Sequence, residues 1–238
     1  MYEGKIIIGF AGKRGCGKDT AAAFARTYAA DAYGLEVHED AFATSLKAGM
    51  RALFGFSHEQ LYGSRQANED AFWKMTPRHV LQYEGTEHYR QHYGFDFWIR
   101  TLERRIRDRA HMSLTTITDV RFPNEAKVVQ DWGGLLVKLD GRRLTCGKCG
   151  NSGWVTQSWT VEADYPQPGD DDFKTRSPCP ACHHASETAL DDFTGYDYTI
   201  QNGELSLSGL ERKVRSIVDH AVAGLRLSTR GPRSAPTP

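Results

Sequence analysis

No apolar run in this chain approaches the roughly 18 residues that a helical membrane span requires, and a membrane partner is not expected. The one apolar stretch near the start, Ile6-Ile7-Ile8-Gly9-Phe10, is too short for a secretory signal and leads straight into Gly12-Lys13-Arg14. A cytoplasmic location is the expectation. Excess charge of one sign is also missing. Lys+Arg and Asp+Glu each number 30, for a formal net charge of zero. Proteins that coat DNA or RNA carry a basic surplus to hold phosphates. Nucleic acid is therefore not an expected partner, although a local basic pocket for a small phosphorylated ligand is allowed. Cysteine is scarce, at 5 of 238 residues, and there is no internal repeat. In a reducing compartment, thiols favour metal or catalytic roles over disulfides.

What is present is ordinary in bulk. Hydrophobic residues make up 39% and charged residues 25%, as in a soluble globular protein. The length suits one α/β domain with an insertion or a small second module. Lys5–Phe10 reads as a buried strand, and Lys18 to about Ala30 as a helix with a stripe of small residues, ended by Gly34. A strand near Leu35–His38 and helices over Ser45–Phe54, Thr76–Tyr93 and Phe97–Ala110 follow. In the last of these, Arg104, Arg105, Arg107 and Arg109 read as a solvated basic face. A strand over Leu114–Val120, a helix over Glu125–Trp132 and a strand over Gly134–Leu139 complete the first part. This alternation predicts a mostly parallel sheet with helices on both faces. From Gly141 the composition shifts to Pro, Gly, Asp, Ser and paired Cys. A strand near Tyr196–Ile200 and a helix near Ser208–Leu225 resume the pattern, and residues 228–238 read as a disordered tail.

Between the first strand and first helix stands Gly12-Lys13-Arg14-Gly15-Cys16-Gly17-Lys18, a match to G-x-x-x-x-G-K. Glycines free the backbone to aim successive N–H groups at a phosphate, and the helix N-terminus adds its positive dipole end. Lys18 can then reach the β- and γ-phosphates. Gly12, Lys13, Gly15, Cys16, Gly17, Lys18, Asp19 and Thr20 are thus the expected phosphate-binding set. The motif calls for Ser or Thr after the lysine, to bind Mg²⁺, and here Asp19 stands there. Either Asp19 binds the metal directly or through water, or Thr20 does. Cys16 reads as a small space-filling residue, with a nucleophilic thiol as the alternative.

Several segments then carry a family likeness. Gly9–Gly12 with Gly17–Thr20, Phe42–Lys47, Pro77–Glu87, Thr118–Glu125 and His184–Glu187 resemble the phage-type deoxynucleoside monophosphate kinases. The resemblance spans most of residues 5–215 apart from the cysteine-rich insertion, and Asp119-Val120-Arg121-Phe122-Pro123-Asn124-Glu125 is its most specific piece. It implies a P-loop NTPase fold of three layers, ATP on the phosphate loop, a monophosphate acceptor opposite and a mobile lid. Aspartate after the loop lysine is common in that family, and related enzymes are often homodimers.

The residues themselves support such chemistry. Phosphoryl transfer depends on positioning and charge neutralisation more than on covalent catalysis. Ligands of open α/β sheets gather beyond the carboxyl ends of strands. Arg121 follows such an end and is the expected phosphate contact, with a surface ion pair as the alternative. Asp119 is expected to orient a Mg²⁺-bound water or the nucleophile, with a helix cap as the alternative. Lys47, Arg78 and Gln82 are weaker acceptor-pocket candidates. Trp98 suits either base stacking or the core.

Cys146-Gly-Lys-Cys149 and Cys179-Pro-Ala-Cys182 form two C-x-x-C knuckles, a pattern for a closed tetrahedral Zn²⁺ site. His183 or His184 can replace one thiolate, but four cysteines suffice, and His184 reads as part of the His184–Glu187 segment. Trp154, Val155, Trp159 and Val161 read as a hairpin between the knuckles. The expected organisation is a kinase core over 1–140 and 190–227, with a zinc-ribbon-like insertion over 141–189 forming a lid. A deoxynucleoside monophosphate kinase using Mg·ATP is the leading expectation. A dephospho-coenzyme A kinase type, and an ATPase whose zinc ribbon grips nucleic acid, are the alternatives.

Overall fold

The computed structural model describes residues 4–141 and 183–228, with side chains to residue 225, and the backbone of two short strands at 154–159 and 173–178. The four knuckle cysteines, Val161 and the tail beyond residue 228 lie outside the described residues.

A five-stranded, all-parallel sheet forms the centre. Its strands are β1 (Lys5–Ala11), β2 (Glu36–Asp40), β3 (Ser113–Val120), β4 (Leu135–Asp140) and β7 (Tyr198–Gln201), in the order β2-β3-β1-β4-β7. β1 and β3 are buried along almost their whole length, as strands covered on both faces must be. Two further strands, β5 (Trp154–Trp159) and β6 (Phe173–Pro178), pair antiparallel where the hairpin was expected.

One face of the sheet is covered by α1 (Lys18–Tyr33) and α9 (Leu207–Ser228). Ala21, Ala22, Ala25 and Ala29 of α1 are fully buried, and side chains this small let the helix lie close to the strands. The other face carries α2 (Thr44–Phe54), α6 (Phe97–Arg107) and α7 (Pro123–Asp131) around Ile7, Met50, Leu102, Ile106, Ile117 and Leu136. Short helices α3 (His58–Tyr62), α4 (Pro77–Gln82) and α5 (Tyr89–Tyr93) fill the edge of this layer, and α8 (Ala185–Thr188) precedes β7.

Two expectations need correction. The helix read over Thr76–Tyr93 contains a π-helical turn at Tyr83–His88, between α4 and α5. There the Gly85 carbonyl accepts the indole N–H of Trp98 at 2.8 Å. A Cβ on Gly85 would stand 2.9 Å from Leu46 Cδ2, so the rod packs tightly at that point. The basic run is also not all solvated surface. Arg105 and Arg109 both bind Asp40, which is buried at the end of β2, and Arg105 further donates to Ser45 Oγ and the Ala41 carbonyl. Burial alone would raise the Asp40 carboxyl, but Arg105 and local donors hold it below the usual carboxylate range. The pairing depends on β2 lying beside β3, which helical periodicity does not reveal.

The sheet order also places the site. From β1 the chain runs through α1 to β2 on one side, and from β3 it runs through α7 to β4 on the other. The carboxyl ends of neighbouring β1 and β3 therefore flank a topological switch point, where α/β sheets hold ligands. Ala11 is opposite Val120 in that pair, so the phosphate loop and Arg121 leave the sheet side by side.

Candidate active site

The loop from Gly12 to Gly17 joins β1 to α1. Gly12, Gly15 and Gly17 have φ of 148°, 82° and 96°, values that L side chains rarely adopt. Contact reinforces the requirement at Gly12, where a Cβ would lie 2.5 Å from the Leu139 carbonyl oxygen and 2.6 Å from Cys16 Sγ. At Gly17 a Cβ would lie 2.5 Å from Asn202 Nδ2. Asn202, just past β7, donates that amide to the Cys16 carbonyl at 2.8 Å, while its own N–H bonds the Asp140 carbonyl. The loop is thus braced from the far side of the sheet by a residue with no motif to mark it. Cys16 is buried, and burial pushes its thiol above the ordinary value despite Lys18 nearby. That environment suits packing better than nucleophilic attack.

Two cavities open at the switch point. The first, of about 250 Å³, is bounded by Gly12, Lys13 and Cys16 of the loop and by Lys138–Gly141. The second, of about 150 Å³, lies between α2, α4 and the end of β3, and Lys47, Arg78, Gln82, Trp98 and Asp119 line it. Arg121, Ser186 and Glu187 line both and stand in the shared wall.

The wall is held by charge. Glu187 Oε1 accepts from Arg121 Nη1 and Arg78 Nη2, each at 2.9 Å. Burial would raise the Glu187 carboxyl, but the two arginines hold it below its ordinary value. Burial likewise works against the Arg121 cation, and Glu187, Asp119 and Glu125 outweigh it, leaving Arg121 firmly protonated. Arg121 also donates to the Ser186 carbonyl at 3.1 Å. Lys13 donates to the Glu187 carbonyl and pairs with Asp191, which ties the phosphate loop to the same segment.

Behind the wall, Glu125 accepts the backbone N–H of Arg121 at 2.8 Å and of Phe122 at 3.1 Å, and it pairs with buried Arg90. Arg90 also stacks on the Phe122 ring, 4.2 Å from its centre, and donates to the Phe95 carbonyl. Burial pushes the Glu125 carboxyl up to about 7, against the pull of Arg90. His184 bridges Glu87 and the Ser186 hydroxyl, anchoring α8 to the π turn.

The expected residues fall into place unevenly. Asp119 accepts the N–H groups of Phe42 at 2.7 Å and Ala43 at 2.9 Å, so it fastens the start of α2 to the end of β3 while lining the second cavity. The Lys47 ammonium stands 4.2 Å from the centre of the Tyr62 ring. Burial lowers its pKa, and the charges of Asp119, Arg121, Asp19 and Lys18 all reach it. Trp98 is buried with its indole N–H satisfied, so it serves the core and the cavity wall together. Glu125 and Glu187 stand within segments that carry the family likeness. Neither their burial nor their partners can be read from residue type.

No family model matches the chain. A protein of Acanthamoeba polyphaga mimivirus, provisionally named a deoxynucleotide monophosphate kinase, is 35% identical over 152 residues, covering 57% of this chain and 74% of the relative. The chain belongs to that kinase family. Among solved structures, shikimate kinases of Aquifex aeolicus vf5 and Bacteroides thetaiotaomicron align at TM-scores of 0.41 and 0.42 with 10% and 14% identity. Those alignments cover 92% and 90% of this chain and 99% and 97% of the others, a likeness too loose to weigh beside the strand order. The chain is a P-loop small-molecule kinase. Such a kinase works on the magnesium complex of its nucleotide. The chain's hard oxygen donors fit that ion: Asp19 and Thr20 are exposed in the first turn of α1, and Asp119, whose charge reaches Lys47 as that of Asp19 does, stands near the end of β3 beside β1. Among the described residues there is no His/Cys/Asp/Glu cluster suited to a further metal, and the knuckle cysteines lie outside them.

Proposed function

We propose that this kinase transfers the γ-phosphoryl group of Mg·ATP to a deoxynucleoside monophosphate. The carrying observation is the position of Arg121 in the wall between the phosphate-loop cavity and the Lys47–Arg78 cavity. A cation there faces both the transferring phosphoryl group and the phosphate that receives it. The deoxynucleotide acceptor is the finer step, supported by the name of the mimivirus relative and by the segments that resemble its family.

In this reading the amides of residues 12–17 and the N-terminus of α1 cradle the triphosphate, and Lys18 spans its outer phosphates. Asp19, or Thr20 beside it, would hold Mg²⁺, with Asp119 as a further carboxylate toward it. The ion neutralises phosphate charge when bound. Arg78 and Lys47 grip the acceptor phosphate, and Arg121 stabilises charge on the equatorial oxygens as the bond to the leaving ADP lengthens. Glu187 keeps Arg78 and Arg121 extended toward one point, so little reorganisation is needed when phosphate oxygens arrive. Gln82 and Trp98 belong to the nucleoside end of the cavity. No general base is required, because a monophosphate oxygen is already anionic near neutral pH.

The division into a core over 1–140 and 190–227 and an insertion over 141–189 belongs to this reading. So does a Zn²⁺ ion on Cys146, Cys149, Cys179 and Cys182 that staples the insertion as a lid. Glu187 is then the point where the insertion returns to the core and touches the transfer site.

The decisive assay incubates Mg·ATP with each deoxynucleoside and ribonucleoside monophosphate, with dephospho-coenzyme A and with DNA, and reads the diphosphate and ADP formed. ADP with a matching deoxynucleoside diphosphate is the expected result. Lys18→Ala should abolish transfer while keeping the fold. Arg121→Ala should lower kcat by about 10³ or more, on the scale of arginines in related chemistry. Phosphorylation of dephospho-coenzyme A alone, or DNA-stimulated ATP hydrolysis without a phosphorylated product, would replace the proposal.

A further inference from the structure

Resting on the acceptor site just proposed, we infer that Gln82 is the residue that reads the hydrogen-bonding edge of the acceptor's base. Its Nε2 is buried and has no hydrogen-bond partner among the described residues, and the side chain lines the second cavity. Unpartnered buried amide donors are rare because they forfeit their bond to water, and each calls for an explanation. A ligand that supplies the missing acceptor atom is one.

Position identifies the kind of ligand atom. Arg78 and Gln82 stand four residues apart on α4, and so on one face of it, about 6 Å apart along the axis. Arg78 marks the phosphate end through its shared partner Glu187 with Arg121. One turn further along, Gly85 meets Leu46 and Trp98, and Phe42 and Leu81 add to the apolar lining of the cavity. A phosphate clamp followed by an amide set among aromatic and aliphatic walls matches the order phosphate, sugar, base in a mononucleotide.

Arg90 Nε, also buried in the lining, is unpartnered as well, but the rest of that guanidinium is held by the Phe95 carbonyl and Glu125. The Trp98 indole N–H is taken by the Gly85 carbonyl at 2.8 Å. Gln66, the other amide in the lining, spends its Nε2 on the Leu61 carbonyl at 2.7 Å. Gln82 therefore retains the unspent amide donor. The π turn that begins at the next residue, Tyr83, fixes the direction of this part of the rod, and such turns recur at functional sites.

The test measures kcat and KM for dAMP, dCMP, dGMP and dTMP at saturating Mg·ATP, in the wild type, Gln82→Leu and Gln82→Glu. Gln82→Leu should raise the acceptor KM about tenfold, the scale of one hydrogen bond. It should leave KM for ATP unchanged and narrow the spread among the four bases. Gln82→Glu, which only accepts when ionised, should shift the ranking toward dAMP, dCMP and dGMP, whose bases carry an amino donor, and against dTMP, whose base carries none. Circular dichroism and thermal melting establish that the variants are folded, and Gln82→Asn, shorter but still an amide, should fall between wild type and leucine. An equal loss for all four bases, with their ranking intact, would overturn the assignment of Gln82 while leaving the kinase reading in place. A wild type that phosphorylates none of the four would overturn both.

Discussion

Replacing Glu125 by leucine tests the buried device that holds Arg121 at the end of β3. Glu125 is 1% exposed and Arg90 is 4% exposed. The carboxylate accepts from Arg90, Arg121 N and Phe122 N. At pH 8, where the folded carboxyl is ionised, leucine removes all three bonds and leaves the Arg90 guanidinium buried without its counter-charge. Breaking one side of a buried ion pair costs about 3–5 kcal/mol, against a typical total stability of about 5–15 kcal/mol. With a urea m-value of about 2 kcal/mol/M, the midpoint should fall by about 2 M. Glu125→Gln keeps the shape and an acceptor oxygen, so its cost should be about 1–3 kcal/mol. The double variant Glu125→Leu with Arg90→Leu should recover part of the loss, because no buried charge then lacks a partner.

The same carboxyl makes a signed pH prediction. Burial raises it from 4.5 unfolded to about 7 folded. The folded state therefore holds the proton more tightly. Its contribution is most favourable below about pH 4.5 and is lost as pH rises to about 7. The change is at most about 3–4 kcal/mol at about 1.4 kcal/mol per pH unit. Urea curves of wild type and Glu125→Gln between pH 5 and 8 should converge as pH rises, since glutamine cannot ionise. A Glu125→Leu variant that loses less than about 1 kcal/mol, or wild-type and glutamine curves parallel across that window, would refute the reasoning.

Two other outcomes follow from the geometry. Gly12→Ala forces a Cβ against the Leu139 carbonyl at a φ of 148°; it should cost about 1–3 kcal/mol in thermal unfolding and weaken ATP binding by calorimetry, whereas Gly55→Ala, at φ 68° with no neighbour within 4 Å, should leave ATP binding unchanged. If the four knuckle cysteines hold zinc, metal analysis should find about one Zn²⁺ per chain, and chelation should lower both thermal stability and kcat; unchanged turnover after verified metal loss would remove the stapled lid from the mechanism.

The phosphate loop could be read from the chain because its parts are contiguous. Strand, glycines, lysine and helix follow one another, so local dihedral freedom and hydrophobic spacing are enough to recognise them. The strand–helix alternation was legible for the same reason, and so was the place of Arg121 just beyond a strand. The partners of that arginine were not. Glu187 is 66 residues from Arg121 and 109 from Arg78. Arg90 is 35 residues from Glu125, and Asn202 is 186 from the Cys16 carbonyl that it braces. Asp40 meets Arg105 and Arg109 across β2, and the π turn formed where Gly85 met Trp98 and Leu46. Local sequence thus determined which segments can cradle a phosphate. The order β2-β3-β1-β4-β7 decided which distant charges stand together around it, because a buried charge persists only where packing brings it a partner.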